Sequence, residues 1–257
     1  MSTVRIGVAF AADVLNQSQY AATLSSLDIL LFPELLDGGY GALKHGSRPH
    51  LPHDAFLSSF QNASRRFSCT IAAGSTFFHH QTTRPTNTNI VFHNGKLIHR
   101  YDKIHLFPPT GDLKYFGAGK LKAKTFSLSH GRTRLQVGVV ICYDLRFPEL
   151  IRAHALPGMQ LLLVPARWPR ARDDAWQSLL KARAIENQMF VVGCNANDNE
   201  GGYSYAFDPM GRMIFSNRRA PKKQLHSFEI DLAALAAAQK IHRNLHDAVF
   251  LKATYNL

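Results

Sequence analysis

Leu135-Gln136-Val137-Gly138-Val139-Val140-Ile141-Cys142-Tyr143-Asp144-Leu145-Arg146-Phe147-Pro148-Glu149 is an apolar, β-branched run that turns abruptly polar. Its first seven residues read as a buried strand, and the change of character at Cys142 reads as a sharp turn toward a helix beginning near Glu149. A thiol at the C-terminal edge of a buried strand lies near helix N–H groups that favour a thiolate, which is where an enzyme can hold a nucleophile. Taken alone, the position also fits a core cysteine, because free Cys is among the most buried residue types.

Similar apolar runs recur on both sides, and the pattern predicts strands over 4–10, 28–33, 70–75, 88–92, 135–141, 161–166, 189–195 and 204–208. Amphipathic helices are expected between them over 15–26, 54–67, 149–155 and 173–187. The last begins near Asp173, expected as its N-cap, and aligns Trp176, Leu179, Leu180 and Ala184 on one stripe to be laid on a sheet. Repeated strand–helix alternation predicts an α/β protein. Asn94-Gly95 and Pro209-Met210-Gly211 sit between strands as hairpin loops. With no Pro/Ser-rich linker or short-period repeat, one domain over 1–257 is expected, with a C-terminal tail from about residue 231.

No stretch of the 257 residues approaches the roughly 18 unbroken apolar residues of a membrane helix. Met1-Ser2-Thr3-Val4-Arg5 lacks a signal-peptide layout, so a cytoplasmic protein is expected. Cys69, Cys142 and Cys194 are odd in number and widely spaced, hence expected to be free thiols, Cys69 and Cys194 in the core. The thirteen histidines include His79-His80, but no HExxH or paired Cys/His spacing appears, so neither a metal nor another cofactor is expected. The formal charge of +12 attracts anions of any kind, from small substrates to nucleic acid. The densest basic run, Arg218-Arg219 to Lys222-Lys223, is broken by Pro221 and reads as a solvated loop. Without a zinc-finger, RNP or helix-turn-helix pattern, nucleic acid is not the expected partner.

Two further residues carry chemistry. Glu34 follows Ile29-Leu30-Leu31-Phe32-Pro33, so a carboxylate is presented where a core strand ends. Such a group suits taking a proton from a thiol, and suits capping a helix equally well. Lys103, in Tyr101-Asp102-Lys103-Ile104-His105-Leu106-Phe107, is able to stabilise a developing oxyanion, although on segment character alone it reads as a surface lysine. A thiol, a carboxylate and a fixed cation together suffice for acyl transfer.

Those segments resemble the nitrilase superfamily. The match runs through Phe32-Pro33-Glu34-Leu35, Tyr101-Asp102-Lys103-Ile104-His105-Leu106-Phe107 and Cys142-Tyr143-Asp144-Leu145-Arg146-Phe147-Pro148-Glu149, in family order. It continues through Ala182-Arg183-Ala184-Ile185-Glu186-Asn187-Gln188, Val191-Val192-Gly193-Cys194-Asn195 and Gly202-Tyr203-Ser204 to about Phe228. The resemblance implies an αββα sandwich, a homodimer and a Glu34–Lys103–Cys142 triad. It implies that Cys142 attacks an amide carbon, that Glu34 accepts the thiol proton and helps ammonia depart, and that Lys103 with the Tyr143 backbone N–H holds the oxyanion. Water then hydrolyses the thioester.

The cysteine motif and Trp168-Pro169 look most like the ω-amidase branch, which hydrolyses the terminal amide of small 2-oxo dicarboxylic acid monoamides. That anionic substrate needs a cationic anchor, and Arg172 matches an arginine common there, its planar fork suiting a carboxylate. Trp168 and Tyr40 are expected to line the pocket. Asp112 stands where many relatives carry a second glutamate, either as an auxiliary acid or as an ordinary turn residue. Ala196 stands where relatives often carry arginine, and Tyr203 where histidine commonly precedes the serine. The rival readings are another branch, an N-carbamoyl hydrolase or an amidase of deaminated glutathione, and a catalytically silent binding module.

Overall fold

The computed structural model describes residues 3–44, 53–79, 84–121, 124–130 and 133–248. Its first sheet takes β1 (Thr3–Ala9), β2 (Ile29–Leu31), β3 (Thr70–Ala72), β4 (Thr76–Phe78), β5 (Thr86–His93) and β6 (Lys96–Asp102). The second takes β7 (Phe126–His130), β8 (Thr133–Val139), β9 (Leu161–Ala166), β10 (Phe190–Asn195), β11 (Tyr205–Phe207) and β12 (Met213–Ser216). The chain then returns to the first sheet as β13 (Leu225–Asp231), antiparallel to β1. The first sheet is ordered β13-β1-β2-β3-β5, with β3 and β4 in succession along one edge of β5 and β6 along the other. The second is ordered β12-β11-β10-β9-β8-β7, parallel at its centre and antiparallel at its edges.

Side-chain alternation stacks these sheets. In β2, Ile29 and Leu31 join the core between the sheets, whereas Leu30 and Phe32 face outward. The outward face is covered by α3 (His53–Arg66), following the short α1 (Ala21–Ser25) and α2 (Gly39–Lys44); Phe56, Phe60 and Ala63 form its buried stripe. The short α4 (Asp112–Tyr115) lies between the sheets in sequence, and on the second sheet's outer face lie α5 (Pro148–Ala155) and α6 (Asp173–Asn187). Trp176 and Leu180 of α6 sit directly over Gly193 of β10, where an added Cβ would come within 2.5 Å of the indole. Val192 and Cys194 on either side are fully buried, and Cys194 Sγ reaches Leu31 O of the first sheet at 3.5 Å. Helix, sheet, sheet, helix is the αββα sandwich. Burying a side chain such as Leu180 contributes ~1.5–3 kcal/mol.

Three expectations are corrected. The helix expected over 15–26 is two 3-10 turns, Ala12–Leu15 and Ser18–Tyr20, followed by α1. Gln17 is extended between them and its side chain bonds Asp13, a local alternative that breaks a helix. Asp173 opens α6 but does not cap it: Arg172 occupies the cap, and the Asp173 carboxylate accepts the Tyr205 hydroxyl at 2.7 Å. The strand expected over 70–75 ends at Ala72 as β3, and the chain resumes as β4 only beyond the bend at Gly74, whose φ of +65 a side chain rarely adopts.

Past residue 231 the chain forms α7 (Ala233–Ile241), with Leu235 and Ala238 buried. Gln188 at the end of α6 donates to the Ala238 carbonyl at 2.9 Å. Both anticipated hairpins are present, with φ of +48 and +73 at Asn94 and Gly95, and +77 at Gly211. Among the described residues no helix is long and apolar enough to cross a membrane.

Candidate active site

Glu34 stands three residues beyond β2 on a turn held by the Gly74 bend. Pro33 O accepts from Ser75 N (3.2 Å), and Ser75 supplies its Oγ to Leu35 N (2.9 Å) and its carbonyl to Leu36 N (3.0 Å). A Cβ on Gly74 would lie 2.0 Å from Pro33 O, so only glycine lets this turn close. Lys103 follows β6, its N–H bonded to Asn87 O and its carbonyl accepting from Gly119 N, both at 2.8 Å. Cys142 follows β8 at φ +46, a left-handed conformation that costs on the order of 1–3 kcal/mol for a residue with a side chain. It opens a 3-10 turn, Cys142–Arg146, and Tyr143 is the second residue of that turn, where backbone N–H groups lack an intrahelical carbonyl.

The three segments converge. Glu34, Lys103 and Asp112 are fully buried and Cys142 nearly so, which overturns the surface reading of Lys103. Lys103 Nζ donates to Glu34 Oε1 at 2.7 Å, to Asp112 Oδ2 at 2.8 Å and to the Tyr40 hydroxyl at 3.2 Å, using its three hydrogens. Glu34 Oε1 also accepts from Tyr40 OH (3.0 Å) and Asn87 Nδ2 (2.9 Å), and Oε2 accepts from Arg167 N (3.0 Å). The Cys142 thiol contacts the Glu34 carboxylate and lies 3.9 Å from the Arg167 carbonyl. Asp112 is more than a turn residue: besides Lys103 it accepts from Phe107 N and Thr110 Oγ1, each at 2.9 Å.

The electrostatics follow from burial and from these neighbours. Burial and the Glu34 charge push the Cys142 pKa well up, against the opposing pull of Lys103 and of a backbone hydrogen bond from Arg167, so the resting sulfur is a thiol. Burial opposes the charge on Lys103, but Glu34, Tyr40, Cys142 and Asp112 outweigh it and hold its pKa well above the usual lysine value. Two buried carboxyl groups, Glu34 and Asp112, thus flank one buried ammonium.

The thiol faces a narrow cleft lined by Phe107, Tyr143, Trp168 and, at its mouth, the exposed Arg146 and Arg172. Trp168 is fixed by Nε1 donating to Arg172 O at 3.0 Å, with the Arg146 guanidinium 4.7 Å over its ring. No carboxylate pairs with Arg146 or Arg172 among the described residues. Tyr40, expected at the cleft, is absent from its lining; the ring packs near Leu35 and Phe116, and the hydroxyl serves Glu34. Ala196 is buried, its N–H bonded to Ala166 O and its carbonyl accepting from Gly202 N. Tyr203 lies between the Arg170 and Arg218 guanidinium groups, at 4.7 and 5.1 Å. Arg218 in the basic run thus packs on a ring while remaining exposed. Cys69 and Cys194 are buried, and among the described residues no His/Cys/Asp/Glu group has the makings of a metal site.

Several site residues escaped sequence reasoning. Arg167 ties Glu34 O and Leu35 O to Asp198 and Glu200, so the base-bearing turn is clamped to the second sheet. Asp144 is fully buried and accepts four bonds: from Ile141 N (3.1 Å), Tyr101 OH (2.8 Å), His105 N (2.8 Å) and His105 Nδ1 (2.9 Å). It fastens the Cys142 turn to the Lys103 loop. The available signal was an aspartate three positions past the apolar run 135–141, since a carboxylate in such a place must find donors.

Residues 9–240 match the carbon-nitrogen hydrolase family model. The chain belongs to the carbon-nitrogen hydrolase family. A hydrolase encoded in the agr operon of Staphylococcus lugdunensis is 35% identical over 209 residues, covering 79% of this chain and 88% of that one. A 2-oxoglutaramate amidase of Bacillus subtilis (strain 168) is 34% identical, covering 83% and 82%. A CN-hydrolase superfamily protein of Xanthomonas campestris, crystallised with an arsenic adduct in its active site, superposes with a TM-score of 0.76 at 26% identity, covering 96% and 97%. The chain is therefore a hydrolase of carbon–nitrogen bonds.

Proposed function

We propose that this enzyme hydrolyses the terminal amide of a small carboxylate-bearing substrate, of the 2-oxo dicarboxylic acid monoamide class, through a thioester on Cys142. The observation that carries this is the contact of one thiol with one buried carboxylate that itself holds one buried ammonium. Because the resting sulfur is neutral, attack requires Glu34 to take its proton as the S–C bond forms. The amide oxygen becomes an oxyanion held by Tyr143 N–H and by Lys103. Of the three bonds Lys103 makes, the longest, to Tyr40, is the one to be exchanged for it.

Glu34 then passes the proton to the departing nitrogen, the C–N bond breaks and ammonia leaves. A water gives its proton to Glu34, attacks the thioester and releases the acid, and the thiol recovers its proton. Asp112 balances Lys103 throughout. The thiol end of the cleft already buries two carboxyl groups, so the acid end of the substrate stays at the mouth, where Arg172 and Arg146 face it.

The test is ammonia release from a panel containing 2-oxo acid monoamides, neutral aliphatic amides, an N-carbamoyl amino acid and deaminated glutathione. Preference for the monoamides, with the Michaelis constant raised about tenfold or more in Arg172→Ala, is expected. Turnover of neutral amides in preference, or an unchanged Michaelis constant, rejects the substrate class. Acid quench during turnover should trap an acyl adduct on Cys142 by intact mass; an unmodified chain under saturating substrate rejects the thioester as the accumulating species.

A further inference from the structure

Along the outer edge of β6, the strand that leads into Lys103, lies a groove of about 690 Å³. One wall is five consecutive residues of β6, 98–102, and part of the facing wall is residues 117–120. That a whole run of alternating residues lines it means the strand is presented edge-on, and the hydrogen-bond parity explains why. Lys103 N–H bonds Asn87 O, directly opposite in the register, so Tyr101 likewise pairs with Asn89, whereas Arg100 and Asp102 occupy the non-bonded positions opposite Ile90 and Thr88. The N–H and C=O groups of Arg100 and Asp102 therefore point away from β5; Gly119 packs against the Asp102 carbonyl, so the open part of the edge is the Arg100 N–H and C=O and the Asp102 N–H. Among the described residues none of them has a backbone partner.

An unpaired edge is a template for another strand, and proteins commonly blunt it with a charge of one sign. Here the charge is positive. Among the described residues, Arg84, Arg100, Lys120 and Lys124 line the groove, against one acid, Asp102, whose Oδ1 accepts from Thr88 and Thr86 and whose Oδ2 faces Arg100 at 3.4 Å. Lys120 and Lys124 have no acidic partner among the described residues. A cationic rim around free strand hydrogen-bonding groups repels a second copy of itself and selects an extended segment of opposite charge.

We propose that the β6 edge binds an extended acidic polypeptide segment, which adds to the first sheet as a further strand with acidic residues at alternate positions facing the basic rim. The Arg100 N–H and C=O and the Asp102 N–H supply register, and Lys120 and Lys124 supply selectivity. The site is separate from the thiol cleft and does not depend on the substrate assigned above.

Fluorescence anisotropy of a labelled peptide alternating Glu and Val, titrated with the intact protein, tests it. Controls are the Lys–Val counterpart, two Glu–Val peptides N-methylated on alternate residues in the two possible phases, and a single-stranded RNA oligonucleotide of equal charge. Saturable binding of the Glu–Val peptide alone is expected, weakened about tenfold in one N-methylated phase and retained in the other. The double variant Lys120→Glu/Lys124→Glu should lose binding while its ammonia-releasing rate, measured in the same preparation, stays unchanged, which excludes misfolding as the cause. Equal binding of both methylated phases overturns strand addition. So does absence of saturable binding, and RNA bound as tightly as the peptide and released by the same double variant reassigns the groove to nucleic acid.

Discussion

Cys142 and Cys194 stand at the C-terminal ends of two strands of the same sheet, both buried, both with pKa pushed up by burial, yet only one is equipped to react. Cys194 lies inside β10 with its sulfur against the carbonyls of Ala9 and Leu31, which can accept a hydrogen bond but cannot take a proton. Cys142 lies three residues beyond the end of β8 at φ +46, and that left-handed turn brings the sulfur to Glu34. Burial is common to both thiols. What separates them is a backbone twist and a base, so nucleophilicity here is made by the neighbours rather than by depressing the pKa of the sulfur.

The largest effect should come from exchanging the two thiols for alanine. Cys142→Ala should lower kcat/KM by ~10⁴-fold or more, whereas Cys194→Ala should keep the rate and lose about 1–3 kcal/mol of unfolding free energy in a urea titration. A comparable loss of rate in both would break the comparison. Asp144→Asn comes next. It puts an amide donor where two or more donors already point, loosening the Cys142 turn from the Lys103 loop, and kcat should fall about 10²-fold with KM little changed. An unchanged kcat would mean that the twist at Cys142 holds without that anchor.

Asp112→Asn keeps the shape but removes one charge from beside Lys103; kcat should drop about tenfold, measured beside Thr110→Ala, which removes a bond to the same carboxylate without its charge. Equal losses would show that position, not charge, is what Asp112 supplies. The smallest effect is thermal. A thiol whose folded pKa is raised contributes stability that is complete below the unfolded thiol pKa of ~8.5 and is lost as pH rises toward the folded value. Melting temperature should therefore fall above about pH 8.5, and fall less in Cys194→Val, by a few degrees. Identical alkaline limbs would remove buried thiols as the cause.

The central strands were legible because they are apolar on both faces: β8, β9 and β10 announce themselves and place Cys142. The edges were not. β6 has exposed residues at Lys96, Leu97 and Arg100, and β12 is half-exposed throughout, so neither offers an unbroken apolar run. Glu34, Lys103 and Cys142 were legible by their motifs, but the burial of Lys103 was not, since it depends on two acids distant in sequence or turn. Tyr40 was read as a pocket wall because an aromatic ring near a catalytic motif suggests packing, and only the fold shows its hydroxyl turned to Glu34. Arg167 was indistinguishable from Arg170 and Arg172 in a basic stretch until its partners, residues 34, 35, 198 and 200, were brought beside it.

Glu34 and Lys103 hang from the first sheet, Cys142 and Arg167 from the second, so every turnover reports on the alignment of two independent slabs. A relative shear of about 1 Å would leave helices, strands and far-ultraviolet dichroism intact while moving acid from sulfur, a displacement that costs on the order of 10²-fold in rate. During gentle heating or low denaturant, hydrolysis should thus fade before any spectroscopic sign of melting.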